Sequence, residues 1–82
     1  MLAELLKMLD DTLVLEGRAL RLTAASPLAG AIPELDSMGV MAIVNAAEER
    51  YGIVIEDEEI DSEVFATVGS LLGFLQNKIN GH

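Results

Sequence analysis

The side chains able to do chemistry are few in this sequence, and their placement argues against catalysis. The chain has no cysteine, and its one histidine is His82, at the tail. A general base must be held in position, which a terminal residue is not. Without a placed histidine or a cysteine, no nucleophilic triad has a base. We therefore expect no catalytic residue and a chain that is not an enzyme.

Clustered carboxylates between residues 56 and 63 raise the alternative of a metal site, because Ca²⁺ and Mg²⁺ prefer oxygen ligands. An EF-hand loop needs a glycine at its sixth position. A loop that starts at Glu56 has Asp61 there instead. The same carboxylates, on a short surface segment, also lack the cleft that acid–base catalysis requires. We expect no dedicated metal site and leave weak, nonspecific divalent binding open.

Ser37 is the side chain whose context is most informative. It lies in Leu35-Asp36-Ser37-Met38, after a long loop and at the predicted start of a helix. Asp36 or Ser37 could cap that helix. A phosphodiester on the Ser37 hydroxyl would also face backbone N–H groups at the positive end of the helix dipole. The residues alone therefore leave two roles open for Ser37: a structural helix cap and an attachment point.

Helical periodicity predicts the elements that must position Ser37. Apolar stripes at spacings of three and four indicate helices over residues 2–15, 36–51 and 68–79. Residues 17–36 are predicted to be an ordered loop, residues 56–61 a short helix, and Thr67 the cap of the last helix. Gly17 and Gly52 are the expected helix stops. The expected fold is all-α: an antiparallel four-helix bundle with three main helices, one short helix and a long first connection.

The net charge of −9 is unevenly distributed. Residues 36–63 contain nine acids and Arg50 as the sole base, which makes that segment −8. Such a surface excludes nucleic acid as a partner, because it cannot neutralise phosphates. It is either a solubilising face or a docking face for basic partners. No stretch approaches the ~20 apolar residues of a membrane span, so a single cytoplasmic domain over residues 1–82 is expected.

Several segments, in order, resemble the acyl and peptidyl carrier proteins. Asp36-Ser37-Met38 resembles their Asp-Ser-Leu signature, with methionine in place of leucine. The preceding residues 33–35, the acidic end of the second helix with its aromatic residue (48–53), and the apolar-then-acidic residues 55–59 match the family pattern. Thr67 stands where the last helix usually starts. The resemblance extends over nearly the whole chain.

This resemblance implies a carrier whose Ser37 receives 4′-phosphopantetheine from coenzyme A, through a separate phosphopantetheinyl transferase. The thiol of the arm then holds acyl or aminoacyl groups as thioesters, which agrees with the absence of cysteine. The expected partners are this transferase and acyl-loading and acyl-processing enzymes with basic docking patches, acting on a monomeric carrier. The expected docking residues are Asp36, Met38, Met41, Glu48, Glu49, Glu56, Asp57 and Glu59.

One departure from the family bears on the pathway. Carrier proteins of fatty acid synthesis usually have carboxylates soon after the serine, whereas Gly39 and Ala42 occupy such places here. This departure favours a specialised biosynthetic pathway. The competing hypothesis is an acidic helical interaction module without covalent cargo, which explains the charge but not the arrangement of loop, Asp36-Ser37 and helix.

Overall fold

The computed structural model describes residues 1–81, and His82 lies outside them. It contains three α-helices: α1 (Leu2–Leu13), α2 (Ser37–Tyr51) and α3 (Val68–Asn80). Two 3₁₀ turns lie in the connections, at Arg18–Arg21 and Asp57–Glu59. No helix in residues 1–81 is long and apolar enough to cross a membrane. The predicted all-α fold is confirmed.

The first helix ends two residues earlier than predicted. Val14 adopts the left-handed conformation, with φ of 54°, and closes α1. Gly17 is not the stop; it caps the following 3₁₀ turn instead. The Asp10 carboxylate accepts hydrogen bonds from the N–H groups of Gly17 (2.9 Å) and Ala19 (3.2 Å). This carboxylate therefore stabilises the corner between α1 and the 3₁₀ turn. The corner has no periodic sequence pattern, so the sequence did not predict it.

The hydrophobic core draws on all three helices and on the connections. The predicted stripes supply most of it, including Leu5, Leu9, Ile43 and Leu71, each at most 2% exposed. Tyr51, the last residue of α2, is only partly buried. The connections add side chains that lie outside any helical stripe, namely Leu15, Ala19, Leu28, Leu35, Ile55 and Phe65.

The loop over residues 17–36 is ordered by contacts with the start of α3. The N–H of Leu28 donates to the carbonyl of Ala66 (3.0 Å), and the N–H of Gly69 donates to the carbonyl of Ala24 (2.8 Å). Because its backbone polar groups find partners there, the loop can pack across the helices. Leu28 and Leu35 consequently lie buried.

The short helix predicted for residues 56–61 is only the 3₁₀ turn Asp57–Glu59. A reciprocal capping box closes this turn, in which the N–H of Glu59 donates to Glu56 and the Glu59 carboxylate accepts the N–H of Glu56 (2.8 Å). A run of like charges opposes a longer helix, because neighbouring carboxylates repel. The predictions for the other caps are confirmed: Gly52 ends α2 with φ of 64°, and Thr67 caps α3.

Candidate functional site: the Ser37 helix terminus

Ser37 is the first residue of α2, and its side chain is exposed. Asp36 is the cap: its carboxylate accepts the N–H of Gly39 at 2.8 Å. The N–H groups of Ser37 and Met38 donate to no acceptor in the part of the chain that the structure describes. Two donors at the positive end of α2 are thus available beside an accessible hydroxyl, an arrangement that suits a phosphodiester. Asp36 takes the capping role that the residues alone left open between Asp36 and Ser37.

Gly39 lets the loop pass directly over the first turn of α2. A Cβ on this buried residue would lie closer than 3.0 Å to the backbone carbonyl oxygen of Glu34, a separation that real Cβ atoms do not adopt. The close approach of Glu34 therefore requires a residue without a side chain at position 39, and this requirement outweighs the low helix propensity of glycine. Sequence reasoning treated Gly39 mainly as a missing carboxylate and did not reveal this contact.

An ion pair braces the loop beside the site. The guanidinium of Arg18 donates to the Glu34 carboxylate, and its Nε also donates to the carbonyl of Leu15 at 3.1 Å. The hydrogen bond from Arg18 is the main cause that holds the pKa of Glu34 below its usual range. The first 3₁₀ turn and the loop that leads into Ser37 are therefore connected through side chains.

The exposed face of α2 next to Ser37 is apolar. Met38 is 80% exposed and Met41 46% exposed, and with Ala42 and Asn45 they line a shallow depression beside Ser37. Glu49 continues the same face at helical spacing, roughly 16 Å from Met38 at 1.5 Å per residue. This face is consequently apolar near the serine and acidic at its far end.

Apart from the helix cap Asp36, the carboxylates expected to dock partners fall into two groups. Glu49, Glu56 and Asp57 are exposed. Glu48 instead accepts the N–H of Ile55 at 2.8 Å, and Glu59 pairs with Lys78 at 2.9 Å. The hydrogen bond from the Glu56 N–H, followed by that from Lys78, holds the pKa of Glu59 below its usual range. Glu48 and Glu59 thus support the fold, which their place in an acidic run did not indicate.

Within residues 1–81, no group of three or more side chains of the metal-binding types is placed to hold an ion. The exposed carboxylates near the second 3₁₀ turn point into solvent or into the capping box described above. The geometry thus offers an exposed hydroxyl at Ser37 beside two N–H groups without acceptors in the described residues, and an acidic surface beyond it.

Comparison with known proteins gives the family. The model of the phosphopantetheine attachment site matches residues 34–75, which include Ser37, all of α2 and the first part of α3. This match covers half of the chain. The chain belongs to the phosphopantetheine attachment-site family, and the expected covalent cofactor, phosphopantetheine, is confirmed at the level of that family.

Individual relatives agree with this assignment. Acyl carrier proteins of Exiguobacterium sp. and Paenarthrobacter aurescens are each 41% identical over 44 residues, or 54% of this chain and 53% and 52% of theirs. The chain spans about half the length of the curated relatives it matches. A holo acyl carrier protein of Nitrosomonas europaea, solved by NMR in solution, is similar in structure with a TM-score of 0.87 and 42% identity, over 95% of this chain and 94% of that one. The resemblance to acyl carrier proteins is confirmed.

Proposed function

We propose that this chain is a monomeric acyl carrier whose Ser37 hydroxyl bears the 4′-phosphopantetheine arm. The observation that supports Ser37 most strongly is its place as the exposed first residue of α2, with two neighbouring N–H groups free of acceptors within residues 1–81. Those donors and the helix dipole stabilise a negative charge at this position. The thiol of the arm supplies the thioester bond for acyl or aminoacyl cargo, which this cysteine-free chain cannot form itself.

The surroundings of Ser37 support attachment of the arm by a separate enzyme. The Asp36 carboxylate, the acid next to Ser37 in sequence, accepts the N–H of Gly39 as the helix cap. The role that the structure gives this carboxylate is therefore the helix cap. We propose that a phosphopantetheinyl transferase supplies the base and coenzyme A the arm, and that Ser37 provides only the accepting oxygen.

Intact-mass spectrometry tests this assignment. After incubation with coenzyme A, Mg²⁺ and a promiscuous phosphopantetheinyl transferase, the chain is expected to gain the mass of one phosphopantetheine. Ser37→Ala should fold, since Asp36 provides the cap, yet accept no arm. Ser62→Ala is the matched control, because Ser62 is also exposed but lies outside a helix terminus. An arm on the Ser37→Ala variant, or none on the unaltered chain, would refute the assignment.

The face of α2 suggests how partners dock. Met38 and Met41 offer adaptable apolar contact near the arm, while Glu49, Glu56 and Asp57 attract basic patches from farther away. We expect reversal of Glu49 together with Asp57 to slow loading, and the loading rate of the unaltered chain to fall between 50 and 300 mM salt, since screening weakens exposed charges. A loading rate unaffected by salt would contradict this steering.

For the pathway, we propose a specialised biosynthetic route, supported by Ala42 on the docking face where carriers of fatty acid synthesis usually have a carboxylate. Gly39 no longer supports this proposal, because its contact with Glu34 explains it sterically. A panel of acyl-loading enzymes from fatty acid, polyketide and peptide synthesis tests the proposal. Preferential loading by fatty acid synthesis enzymes would refute it. The alternative of an interaction module without cargo is not favoured, because the family is defined by arm attachment.

A further inference from the structure

Arg18 and Glu34 join two segments that are separate in sequence. Arg18 lies in the first 3₁₀ turn, which the Asp10 carboxylate holds against α1. Glu34 lies three residues before Ser37. The ion pair between them, with the second hydrogen bond from Arg18 to the Leu15 carbonyl, attaches the end of the loop to the corner of α1.

The same loop segment contacts the first turn of α2 at two points. The Glu34 backbone carbonyl lies over Gly39, and the Asp36 carboxylate accepts the Gly39 N–H at 2.8 Å. Leu35, between them, is buried at 8% exposure. Ser37 follows directly. Any displacement of residues 34–36 therefore changes the position of the Ser37 backbone and the direction of its Cα–Cβ bond.

The contribution of this ion pair to the stability of the fold is small. The side chains of Arg18 and Glu34 are 57% and 36% exposed, and such pairs contribute little to folding. The second carboxylate oxygen, Oε1 of Glu34, is shielded from solvent and has no hydrogen-bond partner within residues 1–81, which is unfavourable. A pair that adds little stability and leaves an oxygen unpaired is better explained by what it positions.

We infer that Arg18 is a positioning residue for Ser37: its ion pair with Glu34 holds residues 34–36 against the first turn of α2 and so fixes the backbone that presents the attachment hydroxyl. This inference rests on the proposed function, because positioning has a consequence only if Ser37 receives the arm. Loss of the pair lowers the fraction of chains with the Ser37 backbone in the productive position. The apparent KM for the chain rises by the same factor.

The experiment measures arm transfer to the apo chain by a phosphopantetheinyl transferase at saturating coenzyme A, with the chain concentration varied. We expect Arg18→Gln and Glu34→Gln each to raise the KM about three- to five-fold with kcat nearly unchanged, the range that an exposed ion pair permits. Arg21→Gln is the matched control, because Arg21 lies in the same turn and forms no ion pair within residues 1–81. It should leave the KM within about two-fold, the range of a lost exposed charge.

Two further readouts separate positioning from a general loss of structure. The charge-reversed double variant, Arg18→Glu with Glu34→Arg, should restore the KM in part, because it keeps the ion pair but loses the hydrogen bond to the Leu15 carbonyl. Arg18→Lys should be intermediate because it keeps the charge with fewer donors. In NMR spectra, Arg18→Gln should shift the amide signals of residues 37–40, and Arg21→Gln should not. Melting temperatures measured in parallel show that each variant is folded at the assay temperature.

Several outcomes would overturn the inference. If only Arg18→Gln slows transfer, the guanidinium acts directly on the transferase and not through Glu34. If neither variant changes the KM, or the reversed pair fails to restore it even in part, the ion pair does not position Ser37. If the unaltered chain gains no arm, or Ser37→Ala gains one, the proposed function fails and this inference with it. A normal KM for both variants, with the arm on Ser37, leaves the proposed function intact.

Discussion

Replacement of Gly39 by alanine tests the structure because two effects oppose each other. Alanine favours a helix over glycine by up to ~1 kcal/mol, so propensity alone predicts a more stable protein. The new methyl group, however, would come within 3.0 Å of the Glu34 carbonyl oxygen, whereas ordinary contact begins at 3.4 Å. The obstacle is backbone, which cannot rotate away. The loop or the helix must shift by several tenths of an ångström.

Overpacking of this kind costs about 1–3 kcal/mol, and a backbone obstacle places Gly39→Ala in the upper part of that range. After the propensity gain, we expect a net loss of about 1–2 kcal/mol in the free energy of unfolding. For a domain of this size that loss lowers the melting temperature by roughly 5–15 °C. The displaced loop should also slow transfer of the arm to Ser37.

Gly73→Ala is the matched control. Gly73 lies within α3, and a Cβ there would meet no atom within 4 Å. This variant should therefore gain up to about 1 kcal/mol from propensity alone. Urea and thermal unfolding of both variants, followed by circular dichroism, measure the difference. If Gly39→Ala were as stabilising as Gly73→Ala, the close passage of the loop over α2 would be wrong.

Three further predictions concern the rest of the fold. Val14→Asn should stabilise the protein by about 1 kcal/mol, because asparagine tolerates the left-handed conformation that strains a β-branched residue; Val54→Asn, at an exposed valine without positive φ, should not stabilise it in thermal unfolding. Asp10→Ala should cost about 1–2 kcal/mol in urea unfolding, since two backbone N–H groups lose their acceptor; a change below 0.3 kcal/mol, within the scatter of ordinary surface substitutions, would contradict that role. The pKa of Glu59 is lower in the folded than in the unfolded chain, so its contribution is present above pH 4.5 and is lost as the pH falls through the folded value. Unfolding measured from pH 6 to pH 3 should show this loss, and Lys78→Gln should reduce it; an unchanged acid profile in that variant would show that the pair with Lys78 has no part in it.

Local sequence signals determined α2 and α3 almost completely. The apolar spacing, the cap Thr67 and the stop at Gly52 act within one or two turns, so they are visible in the chain itself, and only the choice of Asp36 over Ser37 as the cap of α2 needed the structure. The same locality made Ser37 recognisable, because a helix terminus after a long loop is a sequence-adjacent arrangement. The resemblance of Asp36-Ser37-Met38 to the carrier-protein signature then supplied the chemistry expected at Ser37, which is attachment of phosphopantetheine.

Only tertiary structure decided what depends on residues far apart in the chain. The end of α1 at Val14 follows from the hydrogen bonds that the Asp10 carboxylate accepts beyond it, from Gly17 and Ala19. The apolar spacing of a helix carries no information about such bonds. Likewise, the reason for Gly39 is a backbone atom of Glu34, and the partner of Glu34 is Arg18, 16 residues earlier. Glu48 and Glu59 look identical to their exposed neighbours in an acidic run, yet folding gives them Ile55 and Lys78 as partners. Sequence spacing identifies which residues share a helix face, whereas close contacts and ion pairs between distant segments exist only once the loop has packed across the helices.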